Sequence, residues 1–347
     1  MGESIVRQKI LRLVMVTVIG LSTLFILFIL SLTLGPVEMS FSEALTSFIN
    51  VLKNGGRVSN INELIVYHIR LPRAICVIGV GIGLSIAGAV MQAIIRNPLV
   101  DPYITGVSSG AAFGVCLVMF AGITIVKIPF YTIPLAAFLG ALLAFLLTMF
   151  LAEASGGMTL SYVLAGVIVG IAFSSFTTIF LVLGGEKLHG ALFWLFGSFA
   201  YVSWKVVWII FVPSLSLSII VLLYARELNV ILLGDEQAMQ SGLDVHSFKR
   251  LMIIITSLLT SVCVAFTGII GFLGLVVPHI ARILMGSDHR ILLPTVMLVG
   301  ANVLMIADII ARTVLKPVEL PVGAITSLIG VPFFAYLLIK RGKEYVV

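Results

Sequence analysis

Apolar runs long enough to cross a bilayer alternate with short polar connections along almost the whole chain. They predict helices near 13–34, 72–93, 105–121, 131–151, 159–183, 205–224, 251–268, 273–285, 292–311 and 325–339. Arg7, Lys9 and Arg12 precede the first run, which is too long for a signal-peptide core and has no small-residue cleavage site. It is expected to stay as an uncleaved spanning helix with a cytoplasmic start.

The connections carry patterns of their own. Within 35–68, Phe41, Ala44, Leu45 and Phe48 recur at helical spacing behind Ser40 or Ser42, which predicts a capped amphipathic helix outside the membrane. Lys127 and Pro129 mark an outer turn, and 153–157 an inner one. Stretch 184–203 is apolar yet holds several glycines, Lys187, His189 and Trp194, with Trp204 just beyond; a re-entrant helix or an aromatic anchor is expected there. The most polar inner stretch is 225–250, where Gly242 separates a short helix over 235–241 from another opening at Asp244. It is too long and polar for a mere turn, so it reads as a docking surface for a cytoplasmic protein. A basic tail with Lys340, Arg341 and Lys343 closes the chain.

The 347 residues are 60% hydrophobic and 10% charged, and the mean hydropathy is +1.22. No water-soluble fold hides that much apolar surface in one core, so a single all-α, polytopic membrane domain over 1–347 with about ten helices is predicted. The net charge of +6 comes from 21 Lys and Arg scattered through the connections without a basic run. This fits loops beside a lipid bilayer and not a nucleic-acid partner. Cys76, Cys116 and Cys263 each lie in an apolar span without CxxC spacing and read as small core residues.

One stretch organises the rest. From Arg70 a long apolar run empties into Arg96-Asn97-Pro98-Leu99-Val100-Asp101-Pro102, whose prolines and charges break a membrane helix. Non-helical backbone at that depth must be satisfied by protein or line a cavity. Shifting the chain by 180 residues lays Arg70 on Arg250, Gly88 on Gly268 and Pro98 on Pro278, an inverted internal repeat of the kind that builds transporter pathways. In the second copy Gly268, Gly271 and Gly274 permit close helix approach, and Pro278 predicts a hinge. His279, Asp288 and His289 lack metal-ligand spacing, and Asp288 is expected to cap the next helix. Asp308 and Arg312, four apart, share a helix face. No Walker loop, GxSxG or facing acid pair is present, so no hydrolytic chemistry and no resident cofactor or metal is expected of this chain.

Arg70-Leu-Pro-Arg73, Gly88-Ala-Val-Met-Gln92, Asn97 to Pro102, Gly106-Val-Ser-Ser-Gly110, Gly242-Leu-Asp244, Gly271 to His279, Asp288-His-Arg290 and Glu319-Leu-Pro-Val-Gly323 together resemble the FecCD family. Its members are permease subunits of ABC importers for iron-siderophores, haem and vitamin B12. The resemblance implies a type II ABC importer permease fold in the cytoplasmic membrane, with both termini cytoplasmic. It also implies a homodimer, two ATPase subunits that hold the ATP and Mg, and an extracytoplasmic substrate-binding protein. On this reading Arg70, Arg73 and Arg312 are exposed cations that dock the binding protein. Asp235, Glu236, Ser241, Gly242, Leu243, Asp244 and His246 couple to the ATPase. Asn97, Pro98, Asp101, Pro102, Gly271, Gly274 and Pro278 form gate and hinge. Ser161, Ser174, Ser175, Thr177, Thr178, Thr326 and Ser327 line an uncharged pathway. The cargo is an iron-siderophore, haem or cobalamin-type chelate, although some relatives carry oxyanions such as molybdate. The rival is an ion-gradient-driven secondary transporter, which needs a coupling carboxylate at the midplane; Asp308 is the candidate.

Overall fold

In the computed structural model, residues 2–123 and 129–341 are described; Lys127 and Lys343 lie outside them. All regular structure among these residues is helical. The chain begins with α1 (Gly2–Thr33), α2 (Phe41–Lys53) and α3 (Ile61–Leu64), then runs through a π-helical stretch (Ile65–Arg70) into α4 (Leu71–Ile95). Next come α5 (Val107–Ala121), α6 (Pro129–Ala154), α7 (Thr159–Gly184), α8 (His189–Leu195) and α9 (Trp204–Leu223). The polar stretch holds α10 (Ala225–Ile231) and α11 (Asp235–Gln240). The chain ends with α12 (Val245–Thr267), α13 (Leu273–Met285), α14 (His289–Thr313) and α15 (Val322–Arg341). Among the described residues seven helices are long and apolar enough to cross a membrane, and three shorter apolar ones, Val107–Ala121, Leu273–Met285 and Val322–Phe333, match the remaining expected spans. The expected cap of α2 is Ser40, whose hydroxyl accepts the Glu43 N–H while Glu43 accepts the Ser40 N–H.

The bundle is built around α4. Of the most apolar 18-residue stretch of the span containing it, 89% of residues are buried, whereas in the corresponding stretch of α1 none is, and many of its apolar side chains are exposed. Small residues let α4 touch neighbours on several sides: a β-carbon at Gly81 would lie 2.6 Å from the Gly300 carbonyl of α14, and one at Gly88 would lie 1.8 Å from the Gly274 carbonyl of α13.

Both terminal helices and the 225–250 stretch meet at one end of the bundle, hereafter the Arg96 end. Arg12 of α1 reaches the Ile283 carbonyl, Phe333 of α15 stacks edge-on to His279, and Asp235 pairs with Arg96. The other end, marked by Arg73, carries α2, α8 and Glu319.

Helices α4 and α12 run antiparallel, with Met91 against Thr256 and Gly83 against Cys263. Their surroundings are interchanged: α4 packs on α14 and α12 on α6, while α5 pairs with α6 and α13 with α14. This is an inverted repeat of helices, but the 180-residue shift does not describe it residue by residue. Gly88 lies inside α4 whereas Gly268 ends α12, and Pro98 lies in a turn whereas Pro278 lies inside α13. A helix needs only the same direction and neighbours to be equivalent, so turn residues drift in register.

Candidate functional site

Two breaks in the helices meet inside the bundle. The first follows α4, where Arg96 takes a left-handed conformation (φ 54°). Asn97 Oδ1 then accepts the Leu99 N–H at 2.9 Å, and Asp101 Oδ1 accepts the Tyr103 N–H at 2.8 Å, starting a 3-10 turn at Pro102–Thr105. The second break, 268–272, is bounded by two positive φ angles, 71° at Gly268 and 65° at Phe272. The Tyr103 hydroxyl joins the two, donating to the Ile270 carbonyl at 2.9 Å and accepting the Ile270 N–H at 3.2 Å. One phenol thus satisfies both polar groups of a non-helical residue in apolar surroundings, as such backbone requires.

Pro278 was expected to be the hinge, but α13 continues through it and the break lies earlier, at 268–272. Lacking an N–H, Pro278 leaves the Gly274 carbonyl four residues back without its helical partner. Gln92 of α4 supplies one: its amide lies 3.4 Å from the Gly274 and Leu275 carbonyls and 3.3 Å from that of Val100. Pro102 packs where a Gly274 β-carbon would stand, 2.6 Å from its Cδ. Asn97, Pro98, Asp101, Pro102 and Gly274 therefore belong to one assembly with Gln92 and Tyr103, while Gly271 sits beside Ser327. Residues 196–198 enter from the Arg73 end, and the Ser198 N–H caps α12 at the Thr267 carbonyl, 2.7 Å away. This is the re-entrant alternative for that stretch. Trp204 anchors separately, donating to the Tyr67 carbonyl at 2.9 Å.

At the Arg96 end, α11 is tied to both breaking helices. Asp235 accepts from Lys249 of α12 at 2.6 Å and pairs with Arg96 at 3.2 Å. Asp244 caps α12 through the Ser247 N–H at 3.1 Å, and contacts with Ser247 hold its carboxyl below the usual range. Glu236, Ser241, Gly242, Asp244 and His246 are exposed, and Leu243 is half-buried. Leu233 and Met239 are exposed too, at 68% and 57%; a reading that sought polar residues passed over them. Asp288 caps α14, and its carboxyl is pulled well below the usual range chiefly by Arg290, with help from Asn229.

Arg70, Arg73 and Arg312 are not the exposed cations that were expected. They are 3%, 5% and 2% exposed, each held by this chain's own groups. Arg70 donates to the Leu32, Thr33 and Val37 carbonyls at 2.6–2.8 Å, closing the C-terminus of α1, where backbone acceptors are left over and a cation is favoured. Arg73 lies 2.9 Å from Asp308 and 2.8 Å from Glu319, and Arg312 3.2 Å from Asp308. Burying a guanidinium demands such partners. Asp308 is accordingly engaged by two arginines near the C-terminal end of α14.

Of the pathway residues, Ser174, Ser175 and Thr178 line one groove of about 470 Å³ together with Tyr103, Ser108 and Ser109, and no charged residue lines it. Ser161 lies at the Arg96 end, bonded to the Ser155 carbonyl. Thr177 and Thr326 are buried, and Thr326 and Ser327 bond back to Gly323. The two serines of 108–109 follow Gly106 and could have been found from the uncharged small-residue pattern at the start of a helix.

The profile of the FecCD transport family matches residues 23–340. An uncharacterized ABC transporter permease, YvrB of Bacillus subtilis, is 39% identical over 94% of each chain. The vitamin B12 import permease BtuC of Klebsiella pneumoniae is 38% identical, over 81% of this chain and 84% of its own. Among solved structures, one described as an inward-facing ABC transporter of metal-chelate type superposes with a TM-score of 0.80 at 32% identity, over 94% of this chain and 98% of that one. PsaBC from Streptococcus pneumoniae shares the fold, with a TM-score of 0.55 at 16% identity over 85% of this chain and 95% of that one.

Proposed function

The chain belongs to the FecCD transport family, and from that membership we propose that it imports an iron-siderophore, haem or cobalamin-type chelate across the cytoplasmic membrane, using ATP hydrolysed in a partner subunit. As an ABC importer permease it is a transport component that works with ATPase and binding-protein subunits; ATP and Mg belong to the ATPase. The Arg96 end, with both termini, faces the cytoplasm. There the ATPase meets the exposed residues of 233–246. The observation that carries the reading is Asp235, which links this surface to Arg96 at the first break and to Lys249 at the start of α12. Movement of α11 under the ATPase is thereby passed to both helices whose breaks meet at Tyr103 and Ile270.

The exposed face of α7, with Leu164, Ile168 and Ile171 beside the serine-lined groove, pairs with a second copy to enclose the pathway. An uncharged wall lets a bulky ligand pass without trapping it. The binding protein lands on the Arg73 end through exposed cations such as Arg57 and Lys316. Arg70, Arg73 and Arg312 position that surface from within.

In vesicles containing the chain, its ATPase and its binding protein, uptake is expected to require ATP. Asp235→Asn is expected to lower the amount carried per ATP hydrolysed. Uptake by the chain alone along an ion gradient, abolished by Asp308→Asn, would overturn the reading.

A further inference from the structure

Helix α2 leaves a stripe of apolar side chains open at the Arg73 end. Phe41, Leu45, Ile49 and Leu52 are exposed at 56%, 36%, 40% and 59%, with half-buried Phe48 among them. Spaced three or four residues apart, they share one side of the helix. Ala44, Ser47 and Val51, all buried, lie about 100° round on one flank and seat α2 on the rest of the chain. Exposed Ser42, Thr46 and Lys53 lie about as far round on the other flank, and exposed Glu43 faces away from the stripe. Small residues therefore make the contact with the protein, and the large apolar ones call for a second apolar surface.

The surroundings set the depth of the helix. The spanning part of α1, Leu11–Thr33, ends shortly before Phe41. Arg70 donates to the Leu32, Thr33 and Val37 carbonyls, which pins the entry of α2 to the end of that span and the start of α4. Beyond the other end of α2, a β-carbon at Gly56 would lie 2.9 Å from the Tyr67 hydroxyl. The Tyr67 ring lies 5.2 Å from that of Trp204, the first residue of α9. Such Tyr and Trp rings collect at the boundary between membrane and water, so both ends of α2 are held at that level. Leu34 and Val37, exposed at 37% and 53%, continue the exposed apolar surface of α1 toward α2.

We propose that α2 lies along the lipid surface at the Arg73 end, with Phe41, Leu45, Ile49 and Leu52 among the acyl chains and Glu43 toward water. A helix of 13 residues is too short to span, and separate apolar and polar sides suit one that rests in the boundary. Lipid contact along α2 then fixes, through Arg70, the end of α1 against α4. The inference goes beyond the transport function proposed above and needs only that the chain spans a membrane.

The test places nitroxide labels on the full chain in phosphatidylcholine vesicles, using Leu45→Cys, Thr46→Cys, Leu52→Cys and Lys53→Cys one at a time. All four positions are exposed, so a label there leaves the packing intact. The native Cys76, Cys116 and Cys263 are buried, and the unsubstituted chain treated alike gives the background. Electron paramagnetic resonance reads collisions with oxygen, which concentrates among acyl chains, and with a nickel chelate, which stays in water. The ratio of oxygen to nickel collisions is expected to be at least about threefold higher at Leu45→Cys and Leu52→Cys than at Thr46→Cys and Lys53→Cys. Equal, water-like ratios at all four sites would overturn the proposal, because the helix would then stand in water. Slow collisions with both reagents at Leu45→Cys and Leu52→Cys would overturn it as well, since a protein surface, from a second copy or another subunit, would then cover the stripe.

Discussion

Asp308 shows at the scale of one residue how a charge in a membrane helix can be structural. It lies between Arg73 and Arg312, 2.9 and 3.2 Å away, and is fully buried. Asp308→Asn would leave Arg73 with Glu319 alone and take from Arg312 the carboxylate it pairs with, and breaking a buried pair by removing one partner costs about 3–5 kcal/mol. A large fall in the melting temperature of the purified protein is therefore expected. An unchanged melt would show that the carboxylate serves something other than the fold. Asp288 offers a pH test. Its folded carboxyl titrates below the usual value of about 3.9 because Arg290 and Asn229 favour the anion. The stability it adds is fully present above the unfolded value and is lost as pH falls through the lower folded one. Melting followed downward from pH 7 should show that increment intact to about pH 4 and declining only below it in the wild type, with the loss still incomplete at pH 3, and Asp288→Asn should lack it throughout.

At the scale of elements, close approach decides what the breaks can do. Gly88 lets α4 press on the Gly274 carbonyl that Pro278 has freed. Gly88→Ala would force α4 and α13 apart, with overpacking of about 1–3 kcal/mol and a misplaced Gln92. Slower ATP-driven uptake together with lower thermal stability is the expected result. Tyr103→Phe keeps the ring and removes the hydroxyl that serves both polar groups of Ile270. Leaving buried groups unsatisfied costs about 1–3 kcal/mol. Hydrogen exchange at 268–272 should then rise while the end of α1 stays protected; unaltered exchange would mean that the breaks are not joined through this phenol.

For the whole molecule, the function proposed above gives the two ends different work. Exposed Arg57 and Lys316 at the Arg73 end should attract an acidic binding protein, so reversing both charges is expected to slow association about tenfold at low ionic strength and much less at 0.15 M salt. Association rates measured across a salt series would test this. Reversing Arg70 and Arg73 should instead damage folding, since both are buried. The Arg96 end concentrates the polar bridges that couple α11 to α4 and α12, through Asp235, and α10 to α14, through Asn229. A motion imposed there reaches several spans at once.

Hydropathy runs by themselves determined where the apolar helices lie and in what order, because a bilayer accepts little besides apolar helices of sufficient length. Local capping was equally legible: Ser40, Asp244 and Asp288 open helices from the positions their side chains predicted, since a cap depends on residues within one turn. The tertiary structure alone decided what the charges in the helices do. Arginines bounding a span look exposed in a linear sequence, yet folding placed acceptors of α1, α14 and Glu319 around Arg70, Arg73 and Arg312. Likewise Pro278 interrupts the hydrogen-bond ladder of α13 as its sequence position predicts, but only the fold brings Gln92, 186 residues earlier (278 minus 92), to the carbonyl it frees. Contacts between residues far apart along the chain leave no local periodicity, and it was these contacts that turned two interrupted apolar runs into one assembly at Tyr103 and Ile270.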